Sequence, residues 1–400
     1  MRPAVRNARV LGGATSASVA GRLAAYLPAV PATEGAAAID VAAIAVDTPG
    51  HGAREVMAAL REAGASAWVE GERLVVTATR AAFVRAERST AGAGHDLALE
   101  LLRAFDADRS PARTLRMRDI TLDLSERARV MGILNVTPDS FFDNGRYNDV
   151  DRARARAAEM IALGADLIDI GGQSYSAANA QIDVEAEAGR VVPVVRALVR
   201  DGLGVPLSVD TFRSDVAERA LDAGAHLIND CSGLSDDRLA GVVARADAAL
   251  VVMHLRGQLN VREAEYPYDD AMGEILDYLR ERTDRATGAG VAGDSIVVDP
   301  GLEFGKEPQT DLEILDRFGE LRSLGYPVLF AASRKSFIGR IFDLPASDLL
   351  VPSLATAAIG IGAGARLVRV HDIAETVAVA RMLGAVRPEN RGRVGLGARS

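Results

Sequence analysis

Arg129-Val-Met-Gly-Ile-Leu-Asn-Val-Thr-Pro-Asp-Ser-Phe-Phe-Asp143 is the stretch on which the fold turns. Val130 to Leu134 is an apolar run of strand length, and it stops at the polar or turn-forming residues Asn135, Thr137, Pro138, Asp139 and Ser140. A buried strand that ends in a proline-stiffened polar loop suits a βα-loop site. The strand holds the backbone, and the polar groups stand at its carboxyl end. Asn135 would there offer a side-chain carbonyl to a hard cation or an amide to a phosphate. Thr-Pro-Asp is also ordinary turn chemistry, and the local residues alone leave that reading open.

A strand-then-helix rhythm runs outward from this stretch. Strand candidates are 129–134, 166–170, 205–209, 226–229, 249–253, 295–299, 327–332 and 366–369. Amphipathic stretches lie between them, at 151–163, 184–200, 213–223, 269–287, 311–323 and 372–384. Strands that alternate with helices imply a parallel sheet, and eight such units match a (β/α)8 TIM barrel in size. An open doubly wound sheet is the alternative. It is weakened because no Gly-x-Gly-x-x-Gly opens a helix after the first strand.

Polar residues gather where these strands end. They are Asn135, then Asp169 with Gln173 and Ser174, Asp210, Asn229 with Asp230, and His254. Asp299 follows with Phe304 and Lys306, then Arg334, Lys335 and Ser336, and finally Arg369 with His371. Singly, each has a plain explanation, since an Asp after a strand often caps the next helix and a lone His is usually structural. Together on one rim they form a mixed-charge pocket, which suits a polar heterocycle with N–H donors plus a bound anion.

The totals narrow the class. Four hundred residues suggest two domains, or one large domain with an appendage, and 48% apolar residues supply a sizeable core. A net charge of −9 argues against nucleic acid or a membrane surface as partner, and no apolar run reaches transmembrane length. Cys231 is the one cysteine, which excludes an intrachain disulfide and a Cys-rich metal site and fits the cytoplasm. Arg2, Arg6, Arg9 and Arg22 precede the first acidic residue, Glu34, a composition shared with transit peptides. Strand-like and helix-like patterns from residue 8 onward favour an ordinary small α/β domain over residues 1–110 instead. Its strands are expected at 41–46, 66–69 and 73–77 and its helices at 54–63, 79–88 and 94–106, with no catalytic constellation among them. Residues 111–128 read as a linker and lead-in hairpin, 129–388 as the barrel and 389–400 as a tail.

The opening stretch resembles the signature of the dihydropteroate synthase family. Ser-Val-Asp-Thr at 208–211, Ile-Asn-Asp at 228–230 and Asp-Pro-Gly-x-x-Phe-Gly-Lys at 299–306 follow in the family's order. So do Ser-Arg-Lys-Ser at 333–336 and Arg-Val-His at 369–371. The resemblance covers residues 129 to about 388, and the N-terminal extension is similar to one that some bacterial members carry. It implies a folate-biosynthesis reaction, in which 7,8-dihydropterin-6-ylmethyl diphosphate condenses with 4-aminobenzoate. Asp210, Asn229, Asp299 and Lys335 would hold the pterin. Asn135, Arg369 and His371 would hold the diphosphate, with Asn135 also touching Mg²⁺. Phe304 and Ser336 would flank the aminobenzoate, and Tyr175 would stand in the second loop. Asp210, Lys335, Arg369 and His371 are the residues expected to carry catalysis, by positioning and electrostatics without a covalent intermediate. A homodimer is implied on the same ground.

The second loop departs from the family. The family's Gly-Gly-Glu-Ser-Thr-Arg-Pro-Gly is here Gly171-Gly172-Gln173-Ser174-Tyr175-Ser176-Ala177-Ala178, so a charged diphosphate contact is replaced by Ser176. Glu303 also stands where the family usually has Gly. Four readings follow: an active synthase with an altered loop, a pterin-binding paralogue with another amine or no synthase activity, a pterin-dependent methyltransferase, and a non-enzymatic binding module.

Overall fold

The protein is described from a computed structural model, which covers residues 6–10, 41–47, 51–70, 73–137, 146–173, 182–261 and 266–387. Two units separate: Met1–Pro111 with Asp270–Asp277 and Asp316–Gly325, and the remaining segments from Ala112 onward. In the first unit β1 (Arg6–Val10), β2 (Val41–Asp47), β3 (Ser66–Glu70) and β4 (Arg73–Thr79) form an antiparallel sheet in the order β1-β2-β4-β3. Ile44 and Val46 on β2, and Leu74 and Val76 on β4, are two residues apart and fully or nearly fully buried. Val56, Leu60, Phe83, Leu97 and Phe105, from helices His51–Glu62, Arg80–Ser89 and Gly92–Arg109, join the same core. The Thr79 hydroxyl accepts the Ala82 N–H at 3.3 Å and so starts the second of these helices where its strand ends.

The second unit begins with a hairpin, β5 (Thr114–Met117) and β6 (Ile120–Asp123). Eight strands follow: β7 (Arg129–Asn135), β8 (Leu167–Gly171), β9 (Leu207–Asp210), β10 (Leu227–Asp230), β11 (Ala249–Met253), β12 (Ile296–Asp299), β13 (Leu329–Phe330) and β14 (Leu367–Val370). They pair in parallel in the order β12-β11-β10-β9-β8-β7-β14-β13. A parallel bridge between Val298 and Val328, with the Val298 N–H donated to Pro327 O at 3.0 Å, joins the two ends into a barrel. Helices such as Arg146–Ala162, Val184–Asp201 and Ile373–Val386 alternate with the strands, as the (β/α)8 TIM barrel reading requires.

Two elements differ from expectation. The seventh strand, expected over 327–332, keeps only Leu329–Phe330 in the ladder. Pro327 has no N–H to donate, and Arg334 turns the chain away at φ 56°. The helix expected over 311–323 is α-helical only over Pro308–Arg317 and tightens to a 3-10 form over Phe318–Leu324. Among the described residues no helix is long and apolar enough to cross a membrane.

Side-chain alternation explains where the chemistry can sit. Met131, Leu167, Leu227, Val297 and Leu367 form one buried cluster with Leu115 and Met117 of the hairpin, which is the apolar floor of the barrel. Two residues on along a strand the side chain faces the same way, one step nearer the carboxyl end. That step takes Leu167 to Asp169, Leu227 to Asn229, Val297 to Asp299 and Leu367 to Arg369. A polar layer therefore stands directly above the apolar one.

Candidate active site

Arg369 is the centre of that polar layer. Its Nε donates to Asp169 Oδ2 at 2.6 Å and its Nη2 to Asp210 Oδ2 at 2.7 Å. Asp169 has no solvent exposure and takes two further bonds, from Ser208 Oγ at 2.5 Å and Asn229 Nδ2 at 3.1 Å. β7, β8, β9 and β10 bring Asn135, Gly171, Asp210 and Asn229 into one row of register. Gly171 has no side chain between its neighbours. A Cβ there would stand 3.2 Å from Asn135 Oδ1 and 4.0 Å from Asp210 Oδ2.

The charges are unequal in environment. Burial pushes the Asp210 carboxyl up to about 7, against the pull of Arg369 and helped by Asp169. Burial also raises Asp299, whose Oδ1 accepts the Gly301 N–H at 2.7 Å and which feels the charges of Lys335 and Arg369. Lys335 is pulled down by burial and held up by Asp299, Glu303 and Asp311. Its Nζ donates to Leu302 O at 2.5 Å and lies 4.7 Å above the Phe304 ring. Arg369 stays protonated, because its two carboxylates outweigh the cost of burial.

His371 keeps an exposed edge beside this group. Lost solvent and then the Arg369 charge push its imidazole down to about 4, so the ring is neutral at neutral pH. Its backbone N–H donates to Ser333 Oγ at 3.1 Å, and its Nδ1 lies 3.2 Å from the same hydroxyl. When the Ser333 hydroxyl donates to Nδ1, the neutral ring carries its one proton on Nε2, as a donor to an anion.

Other strand-end residues turn elsewhere. Asp230 accepts Ser232 N at 2.8 Å, Ser232 Oγ at 2.7 Å and Leu234 N at 2.5 Å, which builds its loop. Arg334 forms a two-point pair with Asp372 at 2.8 and 2.7 Å. His254 meets Lys306 Nζ at 2.9 Å, and Lys306 also donates to Gly301 O at 2.7 Å and Phe304 O at 2.9 Å. That buried ammonium pins the loop after β12, and burial lowers it to about 7. Tyr175 lies outside the described residues, as do Ser174, Ser176 and the segment 138–143.

Three features take roles that the sequence reading did not assign. Asp169 orders both Arg369 and Asn229, and its signal was an acid at an inward strand position. Arg213 donates to Gln173 Oε1 at 3.2 Å, to Ile182 O at 2.6 Å and to the fully buried Glu187 carboxylate. Glu303 holds φ 72°, a left-handed conformation that favours glycine. Its Oε1 accepts the Phe337 N–H at 3.2 Å and the Ser336 hydroxyl.

The family described as pterin binding enzyme matches residues 131–371. Dihydropteroate synthase of Bacillus subtilis is 40% identical over 275 residues, which is 68% of this chain and 94% of that protein. Dihydropteroate synthase of Xanthomonas albilineans, solved with 4-aminobenzoic acid, superposes with a TM-score of 0.64 at 38% identity. It covers 69% of this chain and 98% of its own. The same enzyme in complex with 7,8-dihydropteroate gives a TM-score of 0.61 at 37% identity, over 68% of this chain and 98% of its own.

Proposed function

The chain belongs to the dihydropteroate synthase family of pterin-binding transferases, and on that premise we propose how its rim performs the family's reaction. The C–O bond of 7,8-dihydropterin-6-ylmethyl diphosphate breaks, the methylene carbon gains the 4-aminobenzoate nitrogen, that nitrogen gives up one proton, and 7,8-dihydropteroate and diphosphate are released. The observation that carries this reading is the single guanidinium of Arg369, which joins Asp169 and Asp210 beside Asn229, Asp299 and Lys335.

The residue types fit the steps. Asp210, Asn229, Asp299 and Lys335 present acceptors and donors to the pterin's amino, ring N–H and carbonyl groups. As the C–O bond to diphosphate breaks, positive charge grows on the pterin methylene, and the Asp210 carboxylate stabilises it. Negative charge grows on the departing oxygens, where Arg369 and the neutral His371 donate hydrogen bonds. Phe304 and Ser336 flank the arylamine, which attacks a strong electrophile and so needs no potent base.

Among the described residues no group of three or more His, Cys, Asp or Glu could hold a metal by itself. Asn135, exposed at the carboxyl end of β7, offers an amide oxygen that fits a hard cation keeping most of its shell as water and phosphate oxygen. Mg²⁺ is the ion of that kind. When bound with the diphosphate at Asn135 it would neutralise leaving-group charge.

A homodimer and a cytoplasmic location complete the reading. Val351 and Ile359 on helix Leu350–Ala363, and Met382 and Val386 on helix Ile373–Val386, are exposed by 72%, 50%, 65% and 51%. Such an apolar face on two packed helices suits a second copy. The buried free thiol of Cys231 suits a reducing compartment.

The test uses the purified full chain with the pterin diphosphate, Mg²⁺ and 4-aminobenzoate, followed for diphosphate. Amine-dependent release supports a synthase. Pterin binding with no release would overturn it in favour of the paralogue reading.

A further inference from the structure

Glu303 is an anion placed at the amine end of the rim. A residue other than glycine at φ 72° is strained, and strain of this kind persists only where its surroundings hold it. Here the Glu303 N–H donates to Asp311 Oδ1 at 2.8 Å. The carboxylate takes the Ser336 hydroxyl and the Phe337 N–H, and Glu303 precedes Phe304 in the chain. The hydroxyl that would otherwise serve an incoming acceptor therefore already serves an internal carboxylate. Lys335, the adjacent ammonium, answers Asp299, Glu303 and Asp311 together, so an added carboxylate meets a cation already shared among three anions.

Resting on the placement of the arylamine between Phe304 and Ser336, we propose that Glu303 sets amine selectivity. It opposes a carboxylate on the amine substrate and favours an uncharged hydrogen-bonding group at the same position. Two effects add. Like charges are brought together, and the Ser336 donor is withheld from the substrate. A neutral 4-aminobenzamide meets neither penalty in full, since its amide N–H can donate to the Glu303 carboxylate.

The experiment compares kcat/KM for 4-aminobenzoate and 4-aminobenzamide, read as diphosphate release by the full chain with the pterin diphosphate and Mg²⁺. The wild type, Glu303→Gln and Glu303→Gly are measured side by side. The benzoate-to-benzamide ratio should rise about tenfold in both variants, mostly through KM for the benzoate. A purely structural role for Glu303 would lower both amines alike, so a ratio unchanged in either folded variant overturns the proposal. Glu303→Gly also relieves the backbone strain, which guards against a variant that fails to fold. If no amine supports release in the wild type, the synthase reading fails first. Calorimetric binding of the two amines, with inorganic diphosphate and 6-hydroxymethyl-7,8-dihydropterin present, then gives the same ratio and still decides the matter.

Discussion

Asp169→Asn isolates one charge. The Asp169 carboxylate has no exposure and meets donors from Ser208, Asn229 and Arg369. In the variant the amide oxygen can keep the Asn229 and Arg369 donors. Its new N–H₂ then faces Ser208, whose hydroxyl can turn to accept it. Hydrogen bonds are thus largely kept while the negative charge is lost. Breaking a buried pair outright costs about 3–5 kcal/mol, and the low end applies here because Arg369 retains Asp210 at 2.7 Å. A loss of about 3 kcal/mol should lower the melting temperature by roughly 6–12 °C for a unit of this size. Activity should fall further than stability. An Arg369 displaced by about 1 Å costs on the order of a hundredfold in rate, and the loss should appear in kcat more than in KM for the pterin diphosphate. Differential scanning calorimetry and steady-state diphosphate release provide the two numbers. A melting temperature within about 2 °C of wild type together with kcat within about threefold would refute the claim that the Asp169 charge holds Arg369 in place.

The remaining expectations are shorter. Asp210 has its folded-state value raised from 3.8 to about 7, so the stability tied to its proton is present below about 4 and is lost as pH rises through 7. In urea titrations across that window Asp210→Asn should gain stability relative to wild type as pH rises, and a difference that stays flat would contradict the raised value. The same titration should give wild-type kcat/KM a rise with pH centred near 7, which Asp210→Asn lacks. Gln173→Glu sets a second carboxylate beside buried Glu187 with Arg213 as their shared cation, and should lower stability by about 1–3 kcal/mol, read by chemical unfolding. Gly301 sits at φ 65°, and a Cβ there would stand 2.0 Å from His254 O, so Gly301→Ala should displace the loop after β12 and abolish pterin binding by calorimetry.

The barrel was legible because its strands are buried on both faces and end in abrupt polar turns. β7 to β12 and β14 begin and end within two residues of the expected limits. The sequence overstates β13, because Val328 to Ala332 is as apolar as a full strand, while Pro327 and the turn at Arg334 limit how much of it can pair. The rim residues were legible through the same alternation, as Asn135, Asp210, Asn229, Asp299 and Arg369 all stand at carboxyl ends. Their pairing was not. Arg369 reaches partners 200 and 159 residues away, and no local pattern says which carboxylate it takes. Glu303 illustrates the same limit. Its departure from the family was plain, but its bond to Ser336 depends on two loops meeting, 33 residues apart.

That pairing bears on why the rim is poised rather than merely charged. Asp169, Asp210 and Asp299 are three buried carboxyls, against the cations of Arg369 and Lys335. Burial in this poorly solvated mouth raises both Asp210 and Asp299; at Asp210 the neighbouring Asp169 carboxylate adds to it, while at Asp299 the charges of Lys335, Lys306 and Arg369 oppose it. A pterin offers N–H donors to those carboxyls and develops positive charge beside Asp210 as diphosphate leaves. The stage that places most positive charge in the mouth is therefore the one the unbound rim lacks, and it is stabilised more than the neutral ground state. Asp169 does not share this role. Already holding Ser208, Asn229 and Arg369, it spends its charge on keeping Arg369 in register above the apolar floor. One strand step separates Asp169 from Leu167 in that floor, so the stability of the barrel and the aim of its guanidinium rest on the same short strand.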